Sequence, residues 1–111
     1  MTYARGDVVW VGVEKFAEGG TKDRPVVILS GWPCNGSFDY LVCICSTSKI
    51  TDPYYTTLVA SDFENGGLPG DGFVRPSYLT VVVQNDIRKL AGRLGDDKVA
   101  ELIATIRRIL S

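Results

Sequence analysis

The chain contains no histidine. That absence removes the side chain that most often serves as a general base near neutral pH, and with it the commonest nitrogen ligand for a metal. Long apolar runs are missing too, and none approaches the length needed to span a bilayer. Neither sign of charge dominates, since 12 basic and 13 acidic residues leave a net charge of −1 and a pI near 5.3. No global field therefore draws this protein onto nucleic acid. Any such binding falls to a local patch, which counts against a tight, indiscriminate nucleic-acid binder. Cysteine is sparse and odd in number, at Cys34, Cys43 and Cys45. Arg5, Asp7, Glu14 and Lys15 interrupt the first fifteen residues, so no apolar signal core is read there. The expectation is a cytoplasmic protein with reduced thiols and no membrane association. Cys43 and Cys45 stand two apart in an expected strand and share a face. With only one other thiol in the chain they read as small buried hydrophobes, so neither a metal nor a cofactor is expected. Phosphate-binding glycine loops, nucleophile elbows, internal repeats and linkers are absent as well.

What is present is 45% hydrophobic content over 111 residues, enough for one domain, 1–111, with a real core. Asp7 to Val13 is rich in β-formers and reads as a first strand. Glu14 to Asp23 reads as a polar, glycine-containing loop. Val26 to Ser30 is a continuous apolar run too short for a helix and reads as a second, buried strand. Asn35-Gly36 is a hairpin signal. A third strand is expected from about Phe38 to Cys45, ending in Ser46-Thr47-Ser48-Lys49, and a fourth from Tyr54 to Ala60. Asn65 to Gly72 reads as a loop throughout. Phe73 to Val83 supplies one or two further strands with an interruption near Pro76-Ser77. Ile87, Leu90 and Leu94 recur at helical spacing and predict a short helical segment broken by Gly92. After Gly95, Asp96 or Asp97 is expected to cap a final helix. Its apolar stripe is Val99, Leu102, Ile103, Ile106 and Leu110, with Arg107-Arg108 near its negative end. Strands followed by one amphipathic helix imply a mainly β fold. The expected form is a small SH3-like antiparallel barrel of five to seven strands with a C-terminal amphipathic helix.

The central stretch is Lys22-Asp23-Arg24-Pro25-Val26-Val27-Ile28-Leu29-Ser30. Pro25 fits the first residue of a strand, where a missing N–H matters least. Arg24 then stands at a strand mouth with its five-donor fork directed outward, suited to phosphate or carboxylate. An ordinary surface arginine paired with a nearby acid remains the other reading. In an antiparallel meander the start of one strand lies beside the end of the next, so Arg24 and Thr47 are expected at one rim. An arginine and a hydroxyl there suit a phosphodiester, and can stabilise developing charge without supplying a nucleophile. RNA brings its own nucleophile, the 2′-hydroxyl. Ser46-Thr47-Ser48 alone also reads as a hydrogen-bonding turn, and Arg75 beside Pro76 as an edge-strand charge. Trp10 and Trp32 could stack bases or serve a core or interface. Lys22, Arg24, Lys49 and Arg75 are expected to gather around one groove if the barrel closes.

At these residues the chain resembles a known family, the PemK/MazF (Kid-like) toxins of bacterial toxin–antitoxin modules. The resemblance rests on Arg5-Gly6-Asp7-Val8-Val9-Trp10-Val11, on Lys22 to Ser30, and on Cys45-Ser46-Thr47-Ser48. It continues through Gly66-Gly67-Leu68, Phe73-Val74-Arg75, Asp86-Ile87 and Gly92-Arg93-Leu94. It implies a metal-independent endoribonuclease that cuts single-stranded RNA in a short sequence context and leaves a cyclic phosphate. It also implies a homodimer, and an antitoxin whose acidic, disordered tail occupies the RNA groove. Arg24 matches the family's catalytic arginine, Thr47 the hydroxyl residue that works with it, and Arg75 an arginine that some members use as an acid. Two positions depart from the pattern. Ser77 falls where several members carry an aspartate implicated as a base, and Glu18 falls near a histidine of some members. Arg24, Thr47, Arg75 and Glu18 are thus the expected catalytic residues. Lys22, Ser46, Ser48, Lys49 and Ser77 are the expected RNA-binding residues. A second reading, favoured by Ser77 and the missing histidine, is a non-catalytic barrel that binds a protein target. It would act as gyrase-poison toxins do, or as a decayed toxin that only titrates an antitoxin.

Overall fold

The structure, a computed structural model, describes residues 2–14, 21–37, 39–47 and 53–111. Among them are seven strands: β1 (Asp7–Glu14), β2 (Thr21–Ile28), β3 (Asp39–Ser46), β4 (Thr56–Leu58), β5 (Phe63–Gly66), β6 (Gly72–Val83) and β7 (Ile87–Leu94). One helix, α1 (Asp96–Leu110), follows. The strands form one antiparallel sheet in the order β4-β6-β3-β2-β1-β7-β5. β4 and β5 occupy its two edges yet are separated in sequence only by the 3-10 turn Ala60–Asp62 and its flanks. From Leu58 to Phe63 the backbone can reach about 18 Å at most. Seven flat strands would place the edges about 29 Å apart. The sheet must therefore curl, and it forms a partial barrel.

Curling buries both faces of the central strands. On one face Val8, Val27, Cys43, Cys45, Leu58, Val74 and Leu94 pack with Leu102 of α1, flanked by Val99, Ile103 and Ile106. On the other, Val9, Val11, Val26, Ile28, Tyr40 and Val42 form a second cluster. Two-sided burial is why β1 and β2 read as continuous apolar runs rather than alternating ones. Lys98 ties α1 to the sheet edge. Its ammonium donates to the Thr57 carbonyl at 3.1 Å and pairs with Asp62 at 3.5 Å, with its side chain only 10% exposed.

Several sequence expectations are corrected. β2 begins at Thr21, so Thr21 to Asp23 is strand, and Pro25 lies mid-strand opposite Trp10. A mid-strand proline is tolerated because β3 pairs with β2 only over Val26 to Ile28, leaving the earlier half of β2 with one neighbour. Asn35-Gly36 forms no two-residue hairpin but lies in the 3-10 turn Cys34–Ser37. The Asn35 amide is spent on buried bonds, donating to the Ser30 and Tyr3 carbonyls. The fourth strand shrinks to Thr56–Leu58. The glycine-rich stretch is partly strand, since Asn65 and Gly66 close β5 and Gly72 opens β6. Gly66 takes a φ of +66°, and a Cβ there would lie 2.6 Å from the Gly92 Cα, so two glycines let β5 cross close to β7.

The expected interruption at Pro76-Ser77 is a bulge inside one long strand. The β3 register passes from Cys43↔Leu79 to Ile44↔Arg75, so 76–78 stand as extra residues between the two stretches of the ladder. The helical segment expected around Ile87 to Leu94 is β7 instead. Two register shifts against β1 each insert a residue, and a strand so stretched imitates helical spacing. Finally, Gly95 is the N-cap of α1, with Asp96 and Asp97 already in the first turn, and Leu110 is exposed.

Candidate functional site

Strand alternation and register place the polar residues. Arg24 is opposite Val11 of β1, and extending the Val26↔Ile44 register by two residues sets it beside Ser46 of β3. Across β3, Ile44 pairs with Arg75 of β6. Arg24, Ser46 and Arg75 therefore stand on one face of the sheet. They line a shallow groove of about 560 Å3, together with Tyr78, Thr80 and Asp86. The Arg75 guanidinium carbon lies 5.4 Å from the centroid of the Tyr78 ring, which orients the cation over an aromatic face.

A second, smaller cavity of about 190 Å3 opens beside it, lined by Trp10, Asp23, Pro25, Thr47, Leu58, Leu68 and Phe73 among others. Arg24 and Ser46 line both cavities and form the ridge between them. Thr47, exposed at the end of β3, thus shares a cavity with Arg24, and Arg75 shares the groove with it. Arg24 and Thr47, expected at one rim, line the same cavity. Ser77 is not among the residues lining either cavity, although its neighbour Tyr78 lines the groove. Glu18, Ser48 and Lys49 lie outside the described residues, as does the side chain of Lys22.

Sequence reasoning missed four residues here. Asp23 shares the Trp10 face of the sheet, since Asp23↔Gly12 and Trp10↔Pro25 are successive same-face pairs. Its carboxylate pairs with Arg88 at 3.7 Å. Gly12 makes room for that pair, because a Cβ there would lie 2.7 Å from the Arg88 guanidinium. Phe73 enters the sequence reading as a strand residue and as part of the Phe73-Val74-Arg75 motif, without a place in a site. Tyr78 and Asp86 reach the groove through the β6 bulge and the turn Gln84–Asp86. A three-residue bulge leaves no mark in a residue pattern; the only signal was Pro76.

The arrangement offers cationic and hydroxyl groups on a ridge but no sulfur nucleophile. Burial pushes the Cys43 thiol from its ordinary 9.0 up to about 12. Burial, with the neighbouring Cys43 second, raises Cys45 well above the usual thiol range. Both stay protonated at neutral pH. Among the described residues no three Cys, Asp or Glu side chains stand together as metal ligands, and no helix is long and apolar enough to cross a membrane.

Comparison with solved structures returns the same curled sheet and terminal helix. An endoribonuclease in complex with its cognate antitoxin, from Mycobacterial species, superposes with a TM-score of 0.75 at 17% identity, over 97% of this chain and 94% of that one. MazF from Deinococcus radiodurans gives 0.75 at 21% identity, over 99% and 97%. A MazE–MazF complex from the same organism gives 0.76 at 19%, over 99% and 97%. At these identities the likeness concerns the fold. No curated protein matches the sequence. The model of the PemK-like, MazF-like toxins of type II toxin–antitoxin systems matches residues 4–110, nearly the whole chain. With that span covered, and with the curled sheet described above, this chain belongs to the PemK/MazF-like toxin family.

Proposed function

We propose that this protein is a metal-independent endoribonuclease toxin that cleaves single-stranded RNA in a short sequence context. The observation that carries the reading is the shared ridge, with Arg24 exposed between a groove holding Arg75 and a pocket holding Thr47. A scissile phosphate on Arg24 meets a planar bidentate donor. The 2′-oxygen attacks phosphorus, the bond to the 5′-oxygen breaks, and a cyclic phosphate and a free 5′-hydroxyl result. Arg24 stabilises the charge that grows on the equatorial oxygens, and Thr47 positions the scissile group. Arg75 acts as the acid that protonates the leaving oxygen or as a second clamp. Glu18 is the proposed base for the 2′-proton, and the carboxylate of Asp86, which lines the Arg24–Arg75 groove, is the alternative base. Ser46, with Lys22, Ser48, Lys49 and Ser77, is assigned to holding the RNA strand. The proposed partner is an antitoxin with an acidic disordered tail. A homodimer is also proposed, supported by the exposed apolar side chains of Leu41, Leu79, Val81 and Val83 on neighbouring strands.

The test is cleavage of a long single-stranded RNA in excess EDTA. The wild-type protein is expected to cut there, and Arg24→Ala to fold normally but cut about a hundredfold more slowly or worse, as loss of a charge-stabilising donor dictates. Undiminished cleavage by Arg24→Ala, or activity lost to chelator and restored by a divalent ion, overturns the mechanism. Slower cutting by Glu18→Gln or by Asp86→Asn identifies the base. A wild-type protein that cuts nothing but binds an antitoxin is the non-catalytic barrel instead.

A further inference from the structure

The smaller cavity is chemically unlike the groove beside it. Its walls include the aromatic rings of Trp10 and Phe73 with the apolar Leu58 and Leu68, and among its described lining residues the acidic one is Asp23. A carboxylate at this rim repels a second phosphate or an acidic peptide side chain, both of which the Arg24–Arg75 groove would accept. Aromatic walls instead suit the face of a nucleobase, and single-stranded RNA is read by stacking together with hydrogen bonds to base edges. We propose that this pocket is a nucleobase subsite flanking the scissile phosphate, and that Asp23 makes guanine its preferred occupant. The proposal rests on the RNA-cleaving reading of the ridge.

The choice of base follows from the donor inventory. An ionised carboxylate only accepts hydrogen bonds, and can accept two side by side. Guanine alone presents two adjacent donors, N1–H and the N2 amino group, with no acceptor between them. Cytosine and adenine place a ring acceptor next to their amino group, and uracil flanks its single N–H with two carbonyls. Each of these sets a lone pair against the carboxylate. The present partner of Asp23 is Arg88, at 3.7 Å with both side chains about half exposed. An exposed pair of this kind is weak and exchanges readily for a ligand. Because Arg24 and Ser46 line both cavities, a phosphate held on the ridge delivers an adjoining base to the pocket.

Two measurements test this. In the first, cut sites on a long RNA are mapped for the wild type and for Asp23→Asn. Guanine is expected at one position flanking the cut. Asp23→Asn should reduce that preference roughly tenfold or more and admit adenine, which an amide pairs with two hydrogen bonds. The second uses a Trp32→Phe protein, which leaves Trp10 as the only tryptophan. Its fluorescence should be quenched more by the dinucleotide GpU than by ApU, CpU or UpU, and that difference should vanish in Asp23→Asn. Cleavage with no base preference at the flanking positions, or with a guanine preference unchanged by Asp23→Asn, overturns the subsite and leaves the nuclease reading standing. Absence of any cleavage by the wild type overturns the nuclease reading instead. In that event, or where the two measurements disagree, the Trp10 quench decides, since it reads the pocket directly.

Discussion

The buried thiols of β3 give the molecule a pH response unrelated to its site. An unfolded Cys43 loses its proton from about pH 9, whereas the folded one holds it until about 12. Between those limits the unfolded chain binds fewer protons, so stability present in full below pH 9 falls as the solution becomes more alkaline. The slope for one such thiol is about 1.4 kcal/mol per pH unit. Denaturant melts between pH 8 and 11 should show this fall, and Cys43→Ala should remove part of it, with Cys45, raised in the same direction, also contributing. Undiminished stability to pH 11 in the wild type would mean the thiol is not desolvated. At this scale the sequence carried the ridge well. Arg24 and Thr47 were legible because a basic residue just before an apolar run and a hydroxyl just after one are local facts that the meander rule brings together, although Arg24 lies inside β2 and not at its mouth. Asp23 and Asp86 were not, because their importance lies in which cavity they line. That depends on register and on a bulge, neither of which has a residue signature.

Among the elements, α1 was legible in nearly every respect, since its apolar positions follow the helical period over fifteen residues. The stripe is not uniform in energy, however. Leu102 is fully buried against the sheet, whereas Leu110 is 74% exposed. Leu102→Ala is expected to cost about 2–5 kcal/mol of stability, the range for deleting a buried leucine side chain. Leu110→Ala should stay within about 0.5 kcal/mol, as surface changes do. Equal effects in urea denaturation would contradict this placement of the helix. β7 was misread for a physical reason, because its two inserted residues stretch a period of two toward that of a helix. The apolar run Val26 to Ile28 is strand as expected, because burial on both faces removes the polar alternation, but the strand stops before Leu29 and Ser30. Its beginning was missed because Pro25 was taken to start the strand, when the missing neighbour lies on one side only.

Taken whole, the chain is slightly acidic, with a net charge of −1, yet two arginines line one groove. Such a distribution favours a particular anionic ligand over general attraction to polyanions. Fluorescent RNA bound to the non-cleaving Arg24→Ala protein should be displaced by an acidic peptide, and affinity for either should fall as salt is added. Simultaneous binding of both, or affinity that ignores salt, would show that they do not share the groove. The curled form of the sheet was legible only as a barrel class, since the order of strands follows from no local pattern. That order has a mechanical consequence. β4 and β5 sit at opposite ends of the sheet but are joined by the short turn that Lys98 grips. The protein is a hoop whose ends are clasped by the chain itself. A protease nick at Val59 would sever no strand and remove no core side chain. It would nonetheless free both rims at once, so the hoop would spring open there first, with the helix the last thing holding one rim.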